Sequence, residues 1–186
     1  MGLTSCESTE RKDLKLLEEG KVLFFNQDYK TSQIKFEKAS LLNPKNDVAS
    51  AYWGFSSLYL KEYTTAMNAF NKSLLYNPRN NIALFGKGLW LFQMEDFLGA
   101  QILFDSVCKI NPQHDKAFYY KALTSLKFND TLSAQFELKQ AIDNAPDYTE
   151  PYYLLASIFL ANQQKQVADS LIHLASANRR NIATSP

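Results

Sequence analysis

Apolar side chains recur along this chain at helical spacing, and the stretch from Asn81 to Pro112 shows the pattern most plainly. Leu84, Gly88 and Leu91 fall at offsets 0, 4 and 7, which is one face of a helix running to Gln93. Glu95 and Asp96 interrupt the pattern. Phe97, Ala100, Phe104 and Val107 resume it at offsets 0, 3, 7 and 10 as the apolar stripe of a second helix. Asn111-Pro112 ends that helix, because proline lacks a backbone donor and holds the residue before it away from helical angles.

The same punctuation stands at Asn43-Pro44, Asn77-Pro78 and Ala145-Pro146, so four prolines follow one another at intervals of 34 residues. Gly20, Gly54 and Gly88 keep that beat, continued by Ala122 and Ala156. Ser32, Ala66, Ala100, Ala134 and Ala168 keep it as well, each followed four residues later by a large apolar residue, Phe36, Phe70, Phe104, Leu138 or Ile172. Small residues at these points let the two helices of a pair cross closely. Turns fall at Gln27-Asp28, Lys61-Glu62, Glu95-Asp96 and Asn129-Asp130. The period predicts a flexible N-terminal segment over 1–12, five helix pairs over 13–46, 47–80, 81–114, 115–148 and 149–180, and a tail over 181–186. The last helix is expected from about Gln166 to Ala177, with a fairly polar outer face that serves as its own cap.

A 34-residue unit with a small residue in its first helix, an aromatic opening the second (Tyr29, Tyr63, Phe97), then Ala, Phe and Pro, resembles the tetratricopeptide repeat. The resemblance covers Asp13 to Arg180. It implies an all-α fold, a right-handed superhelical solenoid of about five repeats. It also implies a non-enzymatic interaction module whose first helices line a concave, peptide-binding side. The chain departs from the pattern before the glycine, where Glu19, Trp53, Lys87 and Lys121 stand in place of leucine, and in the fourth and fifth copies, where Thr131 and Lys165 replace the aromatic.

Beside the inward stripe of the third copy runs a second one, Phe85, Leu89 and Phe92, again at offsets 0, 4 and 7. Its counterparts include Leu17, Lys21 and Phe24; Ala51, Phe55 and Leu58; Tyr119, Leu123 and Leu126; and Tyr153, Ser157 and Leu160, with Phe25 and Tyr59 one residue further round. A face turned only to water would be polar. Either this stripe is spent on packing neighbouring repeats, or part of it forms an apolar, aromatic groove for a partner protein, presented as an amphipathic helix or an apolar segment. The candidate contact residues are Phe25, Phe55, Tyr59, Phe85, Leu89, Phe92, Tyr119 and Tyr153. Repeats that clamp a chaperone's C-terminal carboxylates carry Lys, Asn and Arg at such positions. Here only Lys21 matches.

Composition narrows the picture by exclusion. Twenty basic and 19 acidic residues leave a net charge of +1, without the basic stripe a nucleic-acid binder carries. No apolar run reaches the roughly 18 residues that span a bilayer. Two histidines, His114 and His173, read as solvated surface residues, and Cys108 as a small buried one; no metal or cofactor site is expected. Asn71-Lys72-Ser73 and Asn129-Asp130-Thr131 match the glycosylation sequon without a visible secretion signal. Leu3-Thr4-Ser5-Cys6 resembles the end of a bacterial lipoprotein cleavage site, lacking the charged and apolar regions upstream. Lipid on Cys6 would make the chain an envelope-anchored assembly protein. Acylation at Gly2 is the other modification the start suggests, and an unmodified start implies a cytoplasmic protein. Self-association through the last repeat is a further expectation, since no separate capping helix follows it.

Overall fold

A computed structural model describes the backbone of residues 3–183 and the side chains of residues 12–178. Among the described residues there are ten helices and no strand: α1 (Leu3–Phe25), α2 (Tyr29–Leu42), α3 (Asp47–Tyr59), α4 (Tyr63–Tyr76), α5 (Asn81–Gln93), α6 (Phe97–Ile110), α7 (Asp115–Lys127), α8 (Thr131–Asn144), α9 (Glu150–Ala161) and α10 (Lys165–Ala183). They are organised in two compact units, Met1–Met94 and Glu95–Pro186, so the boundary falls between the two helices of the third repeat. Helices α1 to α5 belong to the first unit and α6 to α10 to the second.

Each boundary has a local cause. Asn43, Asn77 and Asn111 close α2, α4 and α6 in extended backbone, the conformation the following proline imposes. Asp28, Asn46, Asn80, Asp96 and Asp130 each accept a backbone N–H at the start of the next helix, so the residue types that favour N-caps sit where helices begin. The turn inside each pair holds one non-glycine residue in the left-handed region, Gln27, Lys61, Glu95, Asn129 and Gln163, again 34 residues apart. Only Asn129 among them tolerates that region well.

Two expected ends move outward. Helix α1 starts at Leu3, so the stretch foreseen as a flexible segment is largely helical; no glycine or proline interrupts the chain from Leu3 to Glu19. Helix α10 runs through Arg180 to Ala183, past the expected stop, for the same reason.

In the first unit α1 and α3 pair with α2 and α4, and α3 also packs on α5. The fully buried ring of Phe36 lies against Gly20, where an added Cβ would come within 2.6 Å of it. Between α2 and α3 the seam is made of serines. Ser32 and Ser56, and Ser40 and Ser50, meet through their hydroxyls at 2.9 Å, all four fully buried. Asparagines tie successive repeats together. Asn43 and Asn46 both donate to Asp13 Oδ2 at 3.0 Å, and Asn77 and Asn80 both donate to Asp47 Oδ2 at 2.7 Å. Asn46 and Asn80 thus cap one repeat while bonding the carboxylate that opens the one before.

In the second unit Ala122, Ala134, Leu138, Leu155 and Ile158 form the core between α7, α8 and α9. A charge cluster lies between α6, α7 and α8, with Glu137 buried and Lys121 and Asp105 partly exposed. Lys121 Nζ lies 2.6 Å from Asp105 and 3.3 Å from Glu137, whose other oxygen accepts Ser125 Oγ at 2.8 Å. Burial pushes the Glu137 carboxyl up, and Ser125 and Lys121 offset only part of it. Burial works against the Lys121 charge too, but the two carboxylates together hold its pKa above the usual value. The same register positions of the first repeat carry Glu19 and Lys35, paired at 2.7 Å with the charges exchanged.

Candidate protein-binding site

Helix α1 ends in two phenylalanines, α2 begins with a tyrosine, and α3 carries an aromatic at three successive turns, so one end of the first unit collects rings from three helices. Phe24 is their hub. Its ring meets Phe25, Tyr29, Phe36, Tyr52, Phe55 and Tyr59 at centroid distances of 5.7, 5.5, 6.4, 5.6, 6.4 and 5.7 Å, all edge to face. Tyr29 and Tyr59 stack on each other at 4.4 Å with their planes 11° apart. The base of this cluster is dry, with Phe36 at 0% and Phe55 at 8% exposure. Its rim is wet, with Phe25 at 69% and Tyr59 at 54%. Lys21, paired with Glu18 at 2.8 Å, lies 6.0 Å from the centre of the Tyr52 ring.

The structure thus brings together three of the predicted contact residues, Phe25, Phe55 and Tyr59, and separates their roles. Phe55 and Phe85, at 8% and 7% exposure, are core residues and not groove residues. Phe55 packs edge-on against Phe70 at 5.4 Å and lies 6.3 Å from Phe85, because the stripe one position round from the inward face is the one that neighbouring first helices bury. Leu89 and Phe92 are half-buried on α5. In the second unit Tyr119 is half-buried in a tyrosine cluster with Tyr120 and Tyr148, at 5.5 and 5.4 Å. Burial raises the pKa of all three hydroxyls. Tyr153 is exposed on α9. The side chain of Cys6 lies outside the described residues.

Sequence reasoning named Tyr29 only as the residue that opens its helix, and passed over Tyr52, Tyr120 and Tyr148. Tyr148 carried a signal, since it stands where the earlier repeats place Asn46, Asn80 and His114. His114 itself corrects the expectation of a solvated side chain: it is partly buried and caps α7, Nδ1 accepting the Ala117 N–H at 3.1 Å. Burial lowers its pKa from 6.5. A base with a lowered folded pKa stabilises the fold above its unfolded pKa and loses that contribution as pH falls through the folded value. Melting temperature is therefore expected to drop on acidification below about pH 6.5, and His114→Asn, the capping residue of the two preceding repeats, should remove that slope. An unchanged slope in the variant would refute the assignment. His173 is exposed, as expected. Cys108 is only partly buried, and burial raises its thiol to about 11, leaving it protonated and unreactive near neutrality.

Among the described residues no group of three or more His, Cys, Asp or Glu could hold a metal ion, and no helix is long and apolar enough to cross a membrane. No family model and no curated protein matches the sequence. Solved structures do match. PilF of Pseudomonas aeruginosa aligns over 92% of this chain and 78% of its own, at 14% identity and a TM-score of 0.83. TTC0263, a thermophilic TPR protein of Thermus thermophilus, aligns over 90% and 92% at 18% identity and 0.74. YrrB, described as a TPR protein with an unusual peptide-binding site, aligns over 95% and 91% at 14% identity and 0.65. The chain has the tetratricopeptide-repeat fold. At these identities the likeness is one of fold. Within the tetratricopeptide-repeat framework the aromatic hub occupies the first two repeats, with α1 and α3 as first helices and α2 as the second helix between them.

Proposed function

We propose that this chain is a non-enzymatic protein-interaction module whose first unit receives an apolar segment of a partner protein on Phe25, Tyr29 and Tyr59. One observation carries the reading: exposed Phe25 and Tyr59 rest on a buried base of rings, so the patch is held in shape before any partner arrives. Large rings with few rotatable bonds on a rigid base lose little freedom on binding. Isolated exposed apolar residues need no explanation, but a cluster of aromatics in mutual contact does. The tetratricopeptide-repeat fold supports the reading, and YrrB is described as having a peptide-binding site.

Selection of a peptide library on the full chain should enrich apolar and aromatic sequences. Phe25→Ser with Tyr59→Ser is expected to weaken an enriched peptide by about thirtyfold or more, as for the loss of a central aromatic anchor. Because both side chains are mostly exposed, the melting temperature should change little. Equal affinity of the variant at unchanged stability would sink the assignment. Substituting Phe55 or Phe85 would not test it, since both are structural.

A further inference from the structure

On α6, Leu98, Ile102, Asp105 and Lys109 stand at offsets 0, 4, 7 and 11 and share one stripe along the helix. On α8 the same register positions, 34 residues on, carry Leu132, Phe136, Lys139 and Asp143. The four apolar side chains are 63%, 59%, 80% and 64% exposed. Lys109, Lys139 and Asp143 are exposed as well, and Asp105, which holds Lys121, is partly so. No other second helix carries both apolar residues at the corresponding positions, which hold Lys30 and Ile34 on α2, Thr64 and Asn68 on α4, and Gln166 and Ser170 on α10. The apolar pair is thus a property of α6 and α8, not of the repeat. Between these two helices the charges are exchanged: acid then base on α6, base then acid on α8.

We infer that this face of the second unit is where two copies of the chain meet, about a two-fold axis that runs along the helices between α6 and α8. Both helices pack on α7 and run antiparallel to it across short connections, so they point the same way. A two-fold axis in that direction lays α6 of one copy parallel on α8 of the other with their levels matched. Leu98 then meets the partner's Leu132, and Ile102 the partner's Phe136. Asp105 meets the partner's Lys139, Lys109 meets the partner's Asp143, and each contact occurs twice. Turning one copy end for end instead sets Lys109 against Leu132 and Leu98 against Asp143. The exchange of charge order between two equivalent helices is what selects a second copy as the occupant, because every charged position then finds its opposite.

Sedimentation equilibrium of the full chain over a concentration series tests this independently of the aromatic site. A reversible dimer is expected, since four apolar side chains per copy form a small interface. Lys109→Asp and Asp143→Lys, both on exposed side chains, should each raise the dissociation constant by about tenfold or more by placing two like-charged pairs in the contact, with far-UV circular dichroism unchanged. An equimolar mixture of the two variants should restore dimerisation, because the heterodimer recovers both opposite pairs. A mass that stays monomeric throughout, a dimer indifferent to either variant, or a mixture no tighter than its components would overturn the inference. Indifference would point to contact elsewhere, such as the exposed Val167, Ile172 and Leu174 of α10, which also interrupt the polar outer face expected there.

Discussion

Phe70→Ala is expected to lower the unfolding free energy by about 3 to 5 kcal/mol, read from chemical denaturation of the full chain. The ring is 0% exposed and lies between two glycines. A Cβ built at Gly54 on α3 would stand 2.5 Å from it, and one at Gly86 on α5 2.2 Å. The third close neighbour, Phe55, is a rigid ring met edge-on. A cavity left here has helix backbone on two sides, which cannot collapse into it, and this places the loss at the upper end of such substitutions. The reciprocal change follows from the same geometry. Gly86→Ala gains about 1 kcal/mol of helix propensity but forces the ring aside, for an overpacking cost of about 1 to 3 kcal/mol. A Phe70→Ala variant as stable as the parent would show that these helices do not cross around the ring.

Lys121→Ala is the second large effect, a loss of about 3 kcal/mol at neutral pH. One ammonium serves two carboxylates, and Glu137 is nearly fully buried, so removing the lysine leaves an uncompensated charge that Ser125 alone cannot satisfy. Adding Glu137→Gln should recover most of the loss, because the second change removes the charge that made the first one costly. The variant alone should also regain stability on acidification. Burial already raises the Glu137 carboxyl in the parent chain, and loss of Lys121 removes an offsetting charge. The penalty is therefore absent below the unfolded value of 4.5, builds up between that value and the raised folded pKa, and is complete above it. The exchanged pair Glu19–Lys35 is about a third exposed on each side, and solvent screens it, so breaking it should matter far less. Additive effects of Lys121→Ala and Glu137→Gln would mean the two groups are not coupled.

These two sites mark what the sequence does and does not make legible. Helix ends were readable because they have local causes: Asn-Pro pairs that force extended backbone, and Asp or Asn caps at a fixed period. Gly20 and Gly54 at the helix crossings follow the same beat. Gly86 does not keep that beat, and nothing in its local sequence says that the ring of the preceding helix lies over it. Phe55 and Phe85 were misread for a related reason. In a helix that packs on both its own partner and the next first helix, the apolar face is wider than one stripe, and offsets of 0, 4 and 7 cannot tell core from groove. Phe25 and Tyr59, one residue further round, escape that packing and stay exposed. The charge cluster was invisible because Lys121, Asp105 and Glu137 look like solvated surface residues until three helices enclose them. His114 was missed because imidazole is a rarer cap than asparagine, although its place in the register announced the role.

Photo-crosslinking in the native cell distinguishes a binding rim from an ordinary exposed surface. A photoreactive residue placed at Phe25, on the aromatic rim, is compared with one at Leu75, which is 75% exposed in the same unit but lies on α4, a helix that contributes no ring to the hub. A discrete partner should be crosslinked from position 25 and not from position 75, and the crosslinked partner peptide should be apolar. No adduct at position 25, or the same adduct at both positions, would contradict the proposed binding site.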